Sequence, residues 1–168
     1  MRGQQSFTPP VSGTTEADQD RRTPPALVLE LARRFGRGGF DFDAACSEAN
    51  CVCRQAMRED GYLPGDLDGW DSLDGVLWRG RVWCNPPWNN IGLFVRKAAR
   101  EMDRGNAEVV VFLVPARTSM PWWHYAMRSG FRQHDIVGRV AYGGSGSAPF
   151  EHSTVLVLDR PIEAGDYR

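Results

Sequence analysis

The order of hydrophobic and polar positions along the chain predicts helices alternating with strands. After Thr23, which suits a helix N-cap, and two prolines that suit the first helical turn, apolar residues recur at helical spacing to Phe35, and Gly36 ends the helix. Residues 39–45 instead alternate apolar and acidic side chains, as a short strand ending in a carboxylate does. Residues 108–114 are continuously apolar after Glu108, which is typical of a central parallel strand buried on both faces.

The rest of the chain extends this alternation. Further strands are predicted at residues 82–84, 136–142 and 154–158, and further helices at residues 91–102 and 119–129. The connecting segments are predicted as a short helix or loop at residues 50–60, a long irregular segment at 62–80 and a glycine-rich loop at 143–150. Strands that alternate with helices predict a single-domain α/β fold, with a mostly parallel sheet flanked by helices.

Composition indicates one domain after a short tail. Residues 1–22 are rich in Gln, Ser, Thr, Gly and Pro and contain too little apolar surface to offset the entropy of ordering, so a disordered tail is predicted. Residues 23–168 suffice for one domain with one main core. No apolar stretch approaches the roughly 18 residues that span a bilayer, and the N-terminus has no signal-peptide pattern. A soluble cytoplasmic protein is therefore expected.

Charge and cysteine content limit the kinds of partner and metal site that the chain can have. The net charge of −1 does not indicate a nucleic-acid-binding protein as a whole, yet basic residues cluster in the second half of the chain, and they predict either a local basic face or solvated helix surfaces. They are Arg96, Lys97, Arg100, Arg104, Arg117, Arg128, Arg132 and Arg139. The four cysteines have no paired Cys-x-x-Cys spacing, so no metal site is expected and the thiols are expected to be reduced. They are Cys46, Cys51, Cys53 and Cys84.

The strongest candidate for chemistry is the turn Asn85-Pro86-Pro87-Trp88, directly after the apolar residues 82–84. Two consecutive prolines fix the backbone and donate no N–H, so the Asn85 side-chain oxygen and the Pro86 carbonyl can both act as outward acceptors for an amino group. Trp88 adds a flat face, and stacking of a nucleobase on such a ring contributes about 1 to 3 kcal/mol. The turn predicts a site for a planar heterocycle carrying an amine, although the same dipeptides also occur in ordinary turns.

Three residues with functional potential fall at the ends of predicted strands. Asp43, Asn85 and Pro115 each lie at such an end, and ligands of α/β sheets bind in the crevice at the carboxyl ends of the strands. Asp43 is expected to bind the hydroxyls of a nucleoside cofactor or a cationic amine there, and capping of a helix is its alternative role. One crevice is therefore expected to collect the Asp43 carboxylate and the Asn85 turn.

Several short motifs also occur together in one order. They are Thr23-Pro24, Phe40-Asp41-Phe42-Asp43-Ala44-Ala45, Asn50, Trp83-Cys84-Asn85-Pro86-Pro87-Trp88, Val114-Pro115-Ala116-Arg117-Thr118, Gly138-Arg139 and Ser147-Ala148-Pro149-Phe150. From Thr23 to Leu158, the pattern resembles the phage-type Dam family of DNA N6-adenine methyltransferases. The resemblance implies a Rossmann-like methyltransferase fold, S-adenosylmethionine as the methyl donor and DNA as the partner.

The resemblance further implies roles for individual residues. The implied catalytic residues are Asn85, Pro86, Pro87 and Trp88. The implied cofactor-binding residues are Thr23, Pro24, Asp41, Asp43, Ala45, Asn50 and Asn85. The chain departs from related enzymes in two ways. Ala44-Ala45-Cys46 follows the first strand in place of a glycine-rich loop, and Trp88 stands where Tyr is common, which keeps the stacking face but loses the hydroxyl.

The implied substrate is an adenine flipped out of duplex DNA, because its amine is otherwise enclosed among stacked bases. The candidate DNA-binding residues are Arg117, Trp122, Trp123 and Arg139. A salt bridge is the alternative role of Arg117, and core packing is the alternative for one of the two tryptophans. The sulfonium donor is already activated, so the chemistry requires neither a general base nor a metal. The sequence leaves open whether the protein is a monomer or a homodimer.

Two other functions fit the same motifs. Enzymes that methylate the N4 amine of cytosine or the side-chain amide of glutamine also act on a planar amine-bearing group, and they use a related tetrapeptide. A catalytically silent DNA-binding or anti-restriction protein with the same fold is the second alternative. The presence of Asp43, Asn85 and both prolines argues against the silent protein.

Overall fold

The computed structural model describes residues 23–46, 73, 75–142 and 152–159. Several segments named above lie outside the described residues: the predicted tail at 1–22, the predicted helix or loop at 50–60 with Asn50, most of the segment at 62–80, and the predicted glycine-rich loop at 143–150. The described elements are α1 (Pro25–Arg34), β1 (Phe42–Asp43), β2 (Gly80–Cys84), α2 (Ile91–Asp103), β3 (Ala107–Pro115), α3 (Pro121–Arg128), β4 (Arg132–Asp135) and β5 (Ser153–Asp159).

Most predicted elements are confirmed, with shifts of a few residues at their ends, but the strand predicted at residues 136–142 is wrong. The strand forms instead at Arg132–Asp135, a polar and largely exposed stretch that pairs with β5. An edge strand of this kind buries little surface, so its hydrophobic pattern is weak. Within residues 136–142, Val137 is fully exposed and Gly138 has a φ of 84°.

The first helix does not use Thr23 as its N-cap, so that prediction is also wrong. Pro24 holds the N-cap position with a φ of −55°. Its carbonyl accepts hydrogen bonds from the N–H groups of Leu27 at 3.0 Å and Val28 at 3.2 Å. Because a proline side chain has no hydrogen-bond acceptor, the helix begins without a side-chain cap. The Thr23 hydroxyl binds a different partner, described below.

The described strands form one five-stranded sheet in the order β1-β2-β3-β5-β4. β1, β2 and β3 run parallel, whereas β5 is antiparallel to β3 and β4 is antiparallel to β5. The sheet is therefore mixed, but β1, β2, β3 and β4 all run in one direction and β5 is the reversed strand among the five described, so the expectation of a mostly parallel sheet is confirmed. The apolar run in β3 reflects burial on both faces, and such burial does not depend on the direction of the neighbouring strands. The α/β architecture with flanking helices is confirmed.

The core consists of two hydrophobic clusters, because side chains alternate between the two faces of each strand. The first cluster joins β2 and β3 to α2 and α3, and it includes Val82, Val110, Phe112, Phe94 and Ala126. The second joins the opposite face of the same strands to α1, and it includes Trp83, Val111, Leu113 and Leu31. The helices on both faces thus leave the strand ends as the place for polar residues.

A buried ion pair lies within α2. Lys97, the only lysine of the chain, is 6% exposed, and its Nζ lies 2.7 Å from Oε1 of Glu101, which is 0% exposed. Asn106 Nδ2 donates to Glu101 Oε2 at 2.7 Å. Burial acts to raise the pKa of Glu101, but the hydrogen bonds from Lys97 and Asn106 and the nearby positive charges hold that pKa below its ordinary value. Lys97 therefore does not belong to a solvated basic face.

The described part of the chain contains no helix that is both long enough and apolar enough to span a membrane. Within the same residues, no three His, Cys, Asp or Glu side chains lie together as the ligands of a metal ion would. Cys46 and Cys84, which belong to this part, are both buried.

Candidate active site

The three parallel strands bring together the residues that the sequence places at strand ends. β1 ends at Asp43, β2 ends at Cys84 immediately before Asn85, and β3 ends at Pro115. Asp43 pairs in register with Trp83 of β2. Because the three strands are parallel, their carboxyl ends lie at one edge of the sheet, where α/β proteins bind ligands. The convergence of these strand ends is confirmed.

Asp43 is the buried carboxylate of this edge, with 5% of its surface exposed. Its Oδ1 accepts a hydrogen bond from the N–H of Ala45 at 3.2 Å, and its backbone carbonyl accepts one from the Cys46 thiol at 3.6 Å. Burial raises the pKa of the Cys84 thiol, and the Asp43 charge raises it further. Asp43 therefore places negative charge near the end of β2, immediately before the Asn85 turn.

Asp41 has a structural role, because its carboxylate is bound by Arg81 of β2. Arg81 donates to Asp41 Oδ2 from Nε at 2.7 Å and from its backbone N–H at 2.9 Å, and its terminal NH2 binds Oδ1. The Arg81 side-chain hydrogen bond lowers the pKa of Asp41, although burial opposes it. Gly80 permits this contact, since at its φ of 66° an added Cβ would lie 2.6 Å from Asp41 Oδ2. This contact fastens β1 to β2, and the cofactor role of Asp41 stays a prediction.

The turn Asn85-Pro86-Pro87-Trp88 connects β2 to α2. The Pro87 carbonyl accepts a hydrogen bond from the Asn90 N–H at 2.9 Å, which closes the turn just before α2 begins. Pro86 is buried, whereas Asn85 and Trp88 are half-buried. The Asn85 side-chain Nδ2 donates to Oγ1 of Thr23 at 3.2 Å. The segment that precedes α1 therefore holds the Asn85 amide.

The Trp88 ring contacts two side chains that restrict its position. Tyr142 meets it edge-on, with ring centroids 6.3 Å apart and an interplanar angle of 79°. The Arg117 guanidinium carbon lies 5.7 Å from the Trp88 ring centroid, which is a cation–π distance. Tyr142 is itself anchored by a buried hydrogen bond of 2.8 Å between its hydroxyl and Ser153 Oγ. Sequence reasoning missed this role of Tyr142, and no local motif marks it, because Tyr142 reaches Trp88 only in the folded chain.

The four candidate DNA-binding residues have different surroundings. Arg139 is exposed, and Arg117 is half-buried beside Trp88. Trp122 is half-buried, whereas Trp123 is 5% exposed and packs within the first core cluster. The prediction that Trp123 contacts DNA is therefore wrong, because apolar side chains enclose its ring. The two tryptophan rings meet at 65° with centroids 5.6 Å apart, so Trp123 supports Trp122.

The remaining cofactor candidates are divided between the site and the part of the chain that is not described. Thr23 binds Asn85, and Ala45 binds Asp43, so each is hydrogen-bonded to a residue at the strand edge. Pro24 directly follows Thr23 and is half-buried. Asn50 lies outside the described residues.

The fold is shared with a protein of solved structure. The chain matches the crystal structure of a putative RNA methyltransferase from Pyrococcus horikoshii with a TM-score of 0.54, over 90% of this chain and 91% of that chain, at 14% sequence identity. The architecture is accordingly that of the Rossmann-like methyltransferases. In sequence, the model of the Dam family, DNA N-6-adenine-methyltransferase, matches residues 11–161. The chain belongs to the Dam family, as its motifs predict.

Two phage proteins, each described as a DNA N-6-adenine-methyltransferase, are similar to the chain in sequence. The protein from Escherichia phage T1 is 31% identical over 120 residues, which cover 70% of this chain and 45% of the phage protein. The protein from Haemophilus phage HP1 is 28% identical over 120 residues, which cover 70% of this chain and 62% of the phage protein. The chain thus spans about half the length of these relatives.

Proposed function

We propose that the protein transfers a methyl group from S-adenosylmethionine to the N6 amine of adenine in DNA. One observation carries the proposal: the Asn85-Pro86-Pro87-Trp88 turn and the buried Asp43 carboxylate lie at the same edge of the sheet, and Thr23 binds the Asn85 amide. Membership of the Dam family and the similarity to two phage DNA N-6-adenine-methyltransferases support it.

The residues at this edge fit a nucleoside cofactor that carries hydroxyl and amino groups. S-adenosylmethionine, when bound, supplies a methyl group already activated on a sulfonium centre. The Asp43 carboxylate is a buried acceptor that the Ala45 N–H already orients, so it can receive hydrogen bonds from hydroxyl or ammonium groups. The small side chain of Ala45 allows a ligand to approach the backbone closely. Thr23 and Pro24 complete the cofactor side of the site in this proposal.

Asn85 and Pro86 prepare the amine for attack. The adenine amine is a weak nucleophile because its lone pair is delocalised into the ring, and acceptors for its two N–H groups favour the nucleophilic geometry. The Asn85 side-chain oxygen and the Pro86 carbonyl are these acceptors. After it receives the methyl group that the bound donor would supply, the amine would release one proton to solvent. The main contribution of the protein is to hold the reacting atoms in line.

Trp88 supports the flipped adenine, and basic residues bind the duplex. Flipping a base costs a few kcal/mol, and stacking on an aromatic ring returns about 1 to 3 kcal/mol per base. The Trp88 ring is half-buried and held by its neighbours, so it can act as the stacking face. Arg117 and Arg139 are the proposed phosphate contacts, and Trp122 lines the DNA side of the site.

Comparison of Asn85→Ala with Asn90→Ala tests the proposal. Both variants remove an asparagine side chain near the same turn, but the Asn90 side chain makes no capping hydrogen bond at α2. With labelled S-adenosylmethionine and unmethylated duplex DNA, we expect Asn85→Ala to lose about 100- to 1,000-fold in kcat, as loss of one preorganised hydrogen-bonding group does. Asn90→Ala should stay near the wild type.

Mass spectrometry of the digested DNA identifies the product, which should be N6-methyladenine. Formation of N4-methylcytosine would show that cytosine is the substrate. Absence of both methyl transfer and cofactor binding, measured by calorimetry, would favour the silent DNA-binding protein. Wild-type turnover in Asn85→Ala would remove the turn from the amine site.

A further inference from the structure

Thr23 makes a contact that neither helix capping nor cofactor binding explains. Its Oγ1 accepts a hydrogen bond from Asn85 Nδ2 at 3.2 Å, across 62 positions of sequence. The bond joins the segment before α1 to the end of β2. It turns the donor end of the Asn85 amide toward Thr23, and it therefore turns the acceptor end, Oδ1, away from Thr23.

The backbone around Thr23 is rigid enough to hold that amide. Pro24 follows it with a φ of −55°, and the Pro24 carbonyl accepts hydrogen bonds from Leu27 and Val28 in the first turn of α1. The helix is fastened to the sheet by Leu31, which is buried in the second core cluster. The Thr23 hydroxyl is thus presented from a fixed element.

The orientation of the Asn85 amide decides whether the site can receive an amine. An amide offers an oxygen acceptor on one side and two N–H donors on the other, and rotation by a half-turn exchanges them. A substrate amine donates its N–H groups, so it requires Oδ1. The reversed amide would set its donors against the N–H donors of the substrate amine, and the Thr23 hydroxyl would have to turn from acceptor to donor.

We infer that Thr23 is a positioning residue for methyl transfer, which holds the Asn85 amide with its oxygen available to the substrate amine; this inference rests on the proposed function. Thr23 acts through Asn85 on the chemical step. Loss of its hydroxyl therefore lowers kcat by a larger factor than it changes the KM for DNA or the Kd for S-adenosylmethionine. A hydroxyl that only contacted the cofactor would instead weaken cofactor binding and preserve kcat.

The test compares Thr23→Val, which keeps the shape of the side chain, with Thr23→Ser, which keeps the hydroxyl. We expect kcat of Thr23→Val to fall about five- to tenfold, the effect of one hydrogen bond, and Thr23→Ser to regain most of the loss. Thr154→Val is the matched control, because its hydroxyl donates to the His134 carbonyl at 3.0 Å and lies on β5, two strands from β2. This control should lower thermal stability and leave kcat unchanged.

A second measurement observes the Asn85 amide directly and does not depend on enzymatic activity. The Asn85 side-chain NH2 resonances, assigned from their absence in Asn85→Asp, should shift in Thr23→Val and stay in place in Thr154→Val. Circular dichroism checks the fold, and Thr23→Ala serves the same comparison if the valine variant does not fold. Unchanged resonances, an unchanged kcat or a loss confined to cofactor affinity would each overturn the inference. A wild-type protein that methylates no adenine would instead contradict the proposed function, and the inference with it.

Discussion

Replacing Trp88 by phenylalanine or by alanine separates base stacking from side-chain packing. Trp88→Phe keeps an aromatic face for the flipped adenine, and Trp88→Ala removes it. In the folded protein, the Tyr142 ring meets Trp88 at 79° with centroids 6.3 Å apart, and the Arg117 guanidinium carbon lies 5.7 Å from its centroid. The ring is therefore restricted before the base arrives, so stacking costs little further side-chain entropy.

The expected magnitude follows from this arrangement. Stacking of a base on an aromatic side chain contributes about 1 to 3 kcal/mol, which corresponds to about five- to 150-fold in a rate or an affinity. Because the Trp88 ring is already ordered, we expect Trp88→Ala to lose kcat/KM in the upper part of that range. Trp88→Phe should lose about fivefold or less, since a smaller face remains.

The assay measures initial rates of methyl transfer to duplex DNA below saturation. Trp88 packs against both core clusters, so Trp88→Ala also lowers stability, and rates are compared at a temperature where melting curves show all variants folded. A duplex with a mismatched target adenine is the control substrate. Flipping a mismatched base costs less, so the loss caused by Trp88→Ala should be smaller there.

Equal activity of the two Trp88 variants on matched duplex would refute this reasoning. Trp88 would then be a packing residue, and another aromatic side chain, such as the half-buried Trp122, would support the base. If Trp88→Ala lost the same factor in kcat/KM on matched and mismatched duplexes, Trp88 would have no role in base flipping.

Three further predictions concern the cofactor side, the core and the sheet edge. Asp43→Ala should weaken S-adenosylmethionine binding more than DNA binding, because the buried carboxylate lies at the proposed cofactor edge. Titration calorimetry checks this, and an unchanged cofactor affinity would assign Asp43 a capping role through its hydrogen bond to the Ala45 N–H. Lys97→Met should lower the free energy of unfolding by about 3 kcal/mol, because Glu101 stays buried without its ammonium partner. Urea denaturation measures that loss, and the double variant with Glu101→Met should recover part of the lost stability. Wild-type stability of Lys97→Met would show that the ion pair does not stabilise the fold. Burial and two neighbouring arginine charges lower the pKa of His134 from its ordinary value of 6.5, so the folded state disfavours the charged ring. Its contribution to stability is complete above pH 6.5 and is lost as the pH falls from there through the lower folded-state pKa. The urea midpoint of the wild type should therefore fall between about pH 7 and pH 5, and His134→Gln should reduce this pH dependence. An unchanged pH dependence in the variant would exclude His134 as its source.

Local pattern was sufficient for the elements that form the core and for the motifs at their ends. β3 is recognisable because nine successive positions are largely apolar, and α2 because its apolar side chains repeat at helical spacing. Asp43 and Asn85 were predicted to converge because each directly follows or ends a strand, and parallel strands share a carboxyl edge. The order of residues along the chain was enough for these predictions, because each predicted feature depends on residues that are close together in sequence.

Local pattern was not sufficient where a polar or aromatic side chain finds its partner far away in sequence. β4 is a polar edge strand, so burial imposes little pattern on it. The partner of Asp41 is Arg81, which is 40 positions away and is placed against it by the strand register. Tyr142 anchors Trp88 through the folded sheet.

Thr23 shows the same division within one residue. Its short-range environment suggested a helix N-cap, because threonine before two prolines commonly begins a helix. In the folded chain, the Thr23 hydroxyl instead accepts a hydrogen bond from the Asn85 side chain. Hydrogen bonds between distant segments depend on which strands and helices lie side by side, and packing of both faces of the sheet determines that arrangement. Local sequence motifs therefore identify the residue types at the site, whereas the contacts that orient these residues form only when α1 and the sheet pack together.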